Sequence, residues 1–140
     1  MATMQQISIF LENRKGRLYE IMNILGGANI RIIAATVADT SEYGILRLIT
    51  SEPQRTLDLL KENHIPSNIN EVIALSGSSL AEAFTDKFKY FAAEQIGIEY
   101  MYCFSIDNRS IQIIKVADNQ AALKVIEKYG LETLSNNTIK

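Results

Sequence analysis

Phe10-Leu11-Glu12-Asn13-Arg14-Lys15-Gly16-Arg17-Leu18 is a short apolar run, a polar turn with one glycine, and the first apolar residue of a helix. Upstream, Ile7, Ile9 and Leu11 alternate with Ser8 and Phe10 at the period of two that marks a strand. Downstream, Leu18, Ile21, Met22 and Leu25 recur at i, i+3, i+4 and i+7, the apolar stripe of a helix. Residues 13–17 therefore read as a tight strand-to-helix turn ending at a helix N-terminus. Such a terminus carries unpaired N–H groups and partial positive charge. Gly16 omits a Cβ where a ligand could approach the backbone, and Arg14, Lys15 and Arg17 add three cations within four residues. The combination suits a small anion such as a carboxylate. A solvated turn whose glycine serves a positive φ would have the same sequence.

The rest of the chain bounds that turn. Its 140 residues make one ordinary domain or two very small ones. A composition of 47% hydrophobic and 21% charged residues reads as a soluble globular protein with a core. A net charge of −2 weighs against nucleic acid or an anionic membrane as main partner. Met1-Ala2-Thr3-Met4-Gln5-Gln6 lacks a charged and an apolar leader region, and no apolar run approaches the ~18 residues of a membrane span. Cys103 is the lone cysteine. Together these predict a cytoplasmic protein.

Shifted by 66 residues, the sequence falls on itself without a gap. Leu18, Met22 and Leu25 meet Phe84, Phe88 and Phe91; Ile30 and Ile32 meet Ile96 and Ile98. Ile45 and Leu48 meet Ile111 and Ile114, while Leu57, Leu60 and Ile65 meet Leu123, Ile126 and Leu131. Few pairs are identical, but the apolar pattern persists, as in a duplicated domain. The predicted domains are 1–70 and 71–140.

Each copy carries the same order of elements. The first reads as a strand at Gln6–Leu11, a helix at Gly16–Gly27 stopped by its glycine pair, strands at Ile30–Ala38 and Tyr43–Thr50, a helix from Pro53 to about Asn63, and a strand near Ile65–Ile69. The second reads as Glu71–Ser76, Leu80–Gln95, Ile96–Phe104, Arg109–Val116, Asn119–Tyr129 with Gly130 as stop, and Leu131–Leu134. The predicted class is α+β: two ferredoxin-like βαββαβ domains, each a four-stranded antiparallel sheet with two helices on one face.

With Gly26-Gly27-Ala28-Asn29-Ile30-Arg31-Ile32 opening the second strand after the glycine turn, the chain resembles the ACT domain family. Two copies fill it, as in a stand-alone tandem ACT protein. The family's usual turn is Asn-x-Pro-Gly-x-Leu and its second-strand entry Gly-Val/Ile-Asn-Ile; here Lys15 stands at the proline and Arg31 at the asparagine. The resemblance implies a non-catalytic regulatory protein that binds a small ligand, usually an amino acid, near a domain interface, and passes the signal to a protein partner. By position it nominates Asn13, Arg14, Lys15, Gly16, Arg17 and Leu18, with Ile30 and Arg31 opposite. The Asn13 amide could accept from an α-ammonium or donate to a carboxylate. The N–H groups of residues 16–18 would take the carboxylate. Arg31 could bind a carboxylate bidentately or select an acidic side chain; it could equally be a surface arginine paired to Glu12 or Asp39. The alternative is a ligand-free interaction module or regulatory subunit.

At the matching turn the second copy reads Gly77-Ser78-Ser79-Leu80-Ala81-Glu82, with Glu82 in place of Gly16. Ser79-x-x-Glu82 has the capping-box pattern, so the helix is expected to start about a turn early and the anion site to be lost. One ligand per chain follows. Lys87, at the place of Ile21, is expected to snorkel to solvent.

Tyr100, Tyr102 and Phe104 point to one side of their strand, Met101 and Cys103 to the other. Such a strand is apolar on both faces and needs cover from the other copy, a second chain or a ligand. Unpaired strand edges point the same way, to a homodimer. Nothing indicates an enzyme. The only histidine, His64, reads as a helix-end residue; with one cysteine it offers neither a zinc site nor a nucleophile–base pair, and no phosphate loop or cofactor motif is present. RNA recognition on this fold uses aromatics in the first and third strands. Within the third strands, the stretches 44–49 and 110–114 contain none.

Overall fold

The computed structural model of the chain describes residues 3–12, 14–39, 43–78 and 80–135. Its backbone separates into two compact units, Gln5–Asn70 and a second running from Glu71 together with the N-terminal residues up to Met4.

In the first unit, β1 (Met4–Glu12) leads into α1 (Arg17–Gly27), followed by β2 (Ile32–Asp39), β3 (Tyr43–Thr50), α2 (Pro53–Glu62) and the start of β4 (Ser67–Gly77). The strand order is β2-β3-β1-β4, and β3 runs antiparallel to both β1 and β2. Ile7, Ile9, Leu46 and Leu48 form one face of this sheet and bury against Ile21, Leu25 and Leu60 of the helices. Period two in the strands and period 3.6 in the helices put those side chains in one layer.

The second unit continues β4 and adds α3 (Ala81–Ala93), β5 (Ile98–Ile106), β6 (Arg109–Val116), α4 (Asn119–Tyr129) and the short β7 (Thr133–Leu134). Here β4 lies between β6 and β7, with β5 on the outer side of β6, all pairs antiparallel. Ile73, Leu75, Ile114 and Val116 pack against Phe91, Leu123 and Ile126. Each unit thus has the expected α+β, ferredoxin-like arrangement. Among the described residues, no helix is long and apolar enough to cross a membrane.

Several boundaries differ from the sequence reading. The strands expected at Ile65–Ile69 and Glu71–Ser76 are one strand, β4, because Asn70 and Glu71 supply no glycine or proline to break it. Leu18, expected in the apolar stripe, is 41% exposed: the first turn of α1 overhangs the core, and only Ile21 and Leu25 are buried. Both second strands begin two residues late, since the residues before them close the preceding helices.

Those closures follow one rule. Gly26 and Gly27, read as the stop of α1, are still helical; the left-handed residue is Asn29, φ 58°. Its N–H donates to the Gly26 carbonyl at 3.1 Å, and the Ile30 N–H to the Leu25 carbonyl at 3.1 Å. This is the Schellman closure, which satisfies carbonyls the helix leaves open. His64 (φ 59°), Gln95 (φ 61°) and Gly130 (φ 64°) stop the other three helices. Ile65, Ile96 and Leu131 then donate back to Leu60, Phe91 and Ile126 at 2.9, 2.9 and 3.0 Å. The stops obey the 66-residue repeat although only one of the four is glycine.

Candidate functional site

The β1–α1 turn is built around Gly16, whose φ of 82° lies in the left-handed region and makes it the N-cap of α1. A Cβ there would meet nothing within 4 Å, so the glycine answers to backbone conformation and not to crowding. The Arg17 N–H donates to the Arg14 carbonyl at 3.3 Å, and the Glu20 N–H to Gly16 at 2.9 Å. The amides of Leu18 and Tyr19 occupy the first turn, where a helix has no acceptor of its own. No side chain caps the helix among the described residues; Asn13 lies outside them.

Two of the three cations answer to carboxylates within the turn. Arg14 clasps Glu20 through both terminal nitrogens, at 2.9 and 3.0 Å, and its Nε lies 3.6 Å from Glu12. Arg17 reaches Glu20 at 3.2 Å and Glu12 at 3.8 Å. Hydrogen bonds from Arg14, then Arg17, hold the Glu20 carboxyl below its ordinary range, and Glu20 raises Arg14. The Arg17 side chain is 12% exposed, and its Nε is buried without a hydrogen-bond partner. Lys15 is exposed and in no ion pair among the described residues. The turn's net charge is therefore much smaller than its three cations imply.

Ile30 and Arg31 lie at the other end of α1. Eleven residues at 1.5 Å per residue separate that end from the turn by about 16 Å. Ile30 is 6% exposed, its side chain in the core and its N–H held by Leu25. Arg31 is exposed, and its carbonyl accepts from the Ser51 N–H at 3.1 Å. Within one unit Ile30 and Arg31 are therefore not brought to the turn that holds residues 14–18.

In the second unit α3 begins two residues before the point matching the start of α1, with Leu80 as N-cap and no side-chain cap bond. The expected capping box has Leu80, not Ser79, at the cap; Ser79 and the Glu82 side chain lie outside the described residues. Ser78 Oγ instead accepts from the Leu80 N–H at 3.1 Å. Lys87 does not snorkel to solvent. It is 9% exposed, and its Nζ donates to the Ser76 carbonyl at 3.1 Å and to Gln112 Oε1 at 2.9 Å. Gln112 Nε2 in turn donates to Ser110 Oγ at 2.9 Å. Burial pushes the Lys87 ammonium down, partly offset by the charge of Glu132, which itself binds Arg109. Any Cβ at Gly77 would come within 2.6 Å of Lys87 Nζ, so the glycine makes room for the ammonium. The signal in the sequence was paired: Lys87 and Gln112 stand where the first copy has Ile21 and Leu46.

A family model described as an ACT domain pair matches residues 2–140. The chain belongs to that family. Among solved structures it is similar to protein BT0572 from Bacteroides thetaiotaomicron, with 33% identity over 95% of this chain and 92% of that one, TM-score 0.90. It shares its fold with the regulatory subunit of aspartate kinase from Thermus thermophilus in ligand-free form, at 17% identity over 91% and 93% of the two chains, TM-score 0.63. Aspartokinase III of E. coli, in complex with lysine and aspartate, matches at 18% identity over 91% of this chain and 31% of that one, TM-score 0.53. Among curated proteins none matches.

This ACT domain pair has a second feature that sequence reasoning missed. A cavity of about 550 Å³ opens in the first unit where the chain passes from α2 into β4, lined by Ser8, Phe10, Ile45, Lys61, His64 and Pro66 among others. None of the seven nominated ligand residues that the structure describes lines it. His64 is indeed the helix-end residue its sequence position implies, yet it also faces this space.

Proposed function

We propose that this ACT domain pair is a non-catalytic regulatory protein that binds an amino acid at the β1–α1 turn of its first unit. The observation that carries the reading is the left-handed Gly16 opening α1 beside Arg14, Lys15 and Arg17, in a chain of this family. Backbone N–H groups at a helix start and guanidinium groups are both complementary to a carboxylate. Because Ile30 and Arg31 stand about 16 Å from the turn within one unit, a site using both draws its second wall from another ACT unit, in our reading that of a second chain in a homodimer. A regulatory role is supported by the fold shared with an aspartate kinase regulatory subunit. The chemistry assigns Arg14 and Arg17 to the ligand carboxylate and Arg31 to its other end. Asn13 would orient the α-ammonium, and Lys15 and Leu18 would flank it. The cytoplasm and a regulated protein partner complete the proposal; no cofactor, nucleic acid or membrane enters it.

Thermal unfolding with each of the common amino acids at 10 mM tests this. A ligand present at 100 times its Kd raises stability by about 2.7 kcal/mol, which a melting curve resolves. Replacing Arg31 by Ala should then weaken that ligand about ten- to a hundredfold, as for a lost charge-assisted hydrogen bond. No shift with any amino acid would favour the second reading, a ligand-free interaction module. One observation supports that reading: Glu20 already occupies the forks that a ligand carboxylate would use.

A further inference from the structure

The 550 Å³ cavity of the first unit falls in the size range of small-molecule sites. Its wall on β1 and β3 is formed by Ile9, Phe10 and Ile45, with Ser8 the one polar residue there. Phe10, 45% exposed, stacks on Tyr43 with ring centroids 4.7 Å apart, and Ile45 lies directly opposite Phe10 in the strand register. Its other side carries Lys61 and His64, and no acidic side chain lines it. Neither basic residue is in an ion pair among the described residues. The last carbonyls of α2 do not engage them either: Leu59, Leu60 and Lys61 accept from the N–H groups of residues 63–65, and Asn63 Nδ2 adds a bond to Leu59 at 2.8 Å.

The second unit provides the control. Positions 61, 64 and 66 correspond to Glu127, Gly130 and Glu132, and positions 8, 10 and 45 to the buried Ala74, Ser76 and Ile111. Everything the fold requires there is kept, namely a left-handed residue at 64/130 and an apolar one after it. The charge is inverted and the aromatic wall is gone. The basic lining and the exposed ring are therefore not needed to stop the helix or start the strand. We propose that this cavity binds a small organic anion with a flat apolar body, its carboxylate held by Lys61 and His64 and its ring lying along Phe10 and Ile45. Such a site is separate from the Gly16 turn and shares no residue with it.

Proton–nitrogen NMR of the full chain titrated with sodium benzoate tests the proposal, with benzamide and sodium acetate as probes lacking the charge or the ring. Benzoate should shift the amides of residues 8–10, 61–65, 67 and 68 saturably at millimolar concentration, and each control should bind at least tenfold more weakly. The variant K61E/H64G, which installs the second copy's residues, should weaken benzoate tenfold or more. Should it fail to fold, K61Q at an exposed position should weaken benzoate severalfold. Benzamide as effective as benzoate, acetate as effective as benzoate, shifts confined to other residues, or binding unchanged in the folded variant would each overturn it. The amides of residues 14–20 serve as the internal reference. Shifts there without shifts at 61–68 would place the anion at the turn and refute the cavity site alone.

Discussion

Between α1 and the sheet of the first unit lie Leu11, Ile21 and Leu46; at the same positions in the second lie Gly77, Lys87 and Gln112. Ser110 likewise stands where the first copy has Gly44. One backbone plan accommodates a dry layer in one copy and a hydrogen-bonded ammonium in the other. The substitutions form a set: a buried lysine needs acceptors, which Gln112 and the Ser76 carbonyl provide, and it needs room, which Gly77 provides. No carboxylate bonds the ammonium among the described residues; its hydrogen bonds go to neutral oxygens, with the charge of Glu132 acting from beyond bonding distance. The exposed turn shows the opposite bias. Around Gly16 the first copy gathers arginines and glutamates, while the second starts its helix early, directly after an N-cap Leu80 that is 68% exposed.

The largest effect should come from breaking the polar set at one member. Gln112→Leu removes a hydrogen bond from a buried charge and should cost about 1.5–3 kcal/mol in denaturant unfolding. K87I/S110G/Q112L, which writes the first copy's residues into the second, should recover that loss or exceed the parent's stability, as apolar replacements of buried charge often do. If the triple variant were less stable than Gln112→Leu alone, the two layers would not be interchangeable.

The same lysine predicts a pH dependence of definite sign. Burial lowers its pKa in the folded state below the 10.5 of the unfolded chain. Between those two values the unfolded chain binds more protons, so stability rises with pH across that window and levels off above it. Unfolding followed from neutral pH to pH 10.5 should show this rise in the parent and lose it in the triple variant.

Gly16→Ala comes next. It forces a Cβ into left-handed backbone at φ 82° and should cost about 1–2 kcal/mol. Glu82→Ala at the matched position, inside α3, should change stability by about 0.5 kcal/mol or less. Equal effects at the two positions would mean the turns are more alike than their backbones. A similarly small change is expected for His64→Gly, within about 0.5 kcal/mol, because its counterpart Gly130 already occupies the same conformation. Melting temperatures of the three variants side by side rank these effects.

The fold was legible because the 66-residue repeat let each copy's apolar pattern check the other's. Periodicity named Ile7, Ile9, Ile21, Leu25 and Leu60 as core, and each is buried. It misplaced Leu18, since period alone cannot tell where a helix overhangs its sheet. The left-handed residues that close three of the helices, Asn29, His64 and Gln95, went unread because that conformation is usually read from glycine. At the candidate site the sequence located the turn and its glycine but not the charge balance: Glu12 and Glu20 are ordinary residues until the fold sets them against Arg14 and Arg17. Lys87 was read in isolation as a surface residue. Its meaning depends on Gln112 across the layer, a partner that local pattern does not reveal.

The four helix closures also make the molecule its own gauge of opening. Amides just past a helix end ordinarily fray and exchange with solvent quickly, but those of Ile30, Ile65, Ile96 and Leu131 are each bonded back into the preceding turn. Two belong to each unit. Their hydrogen-exchange rates therefore report the local opening free energy of the first unit and of the second at the same time and in the same tube. Matched rates across all four would describe a chain that opens as one cooperative body; a split between the pairs would describe two foldons joined by one strand.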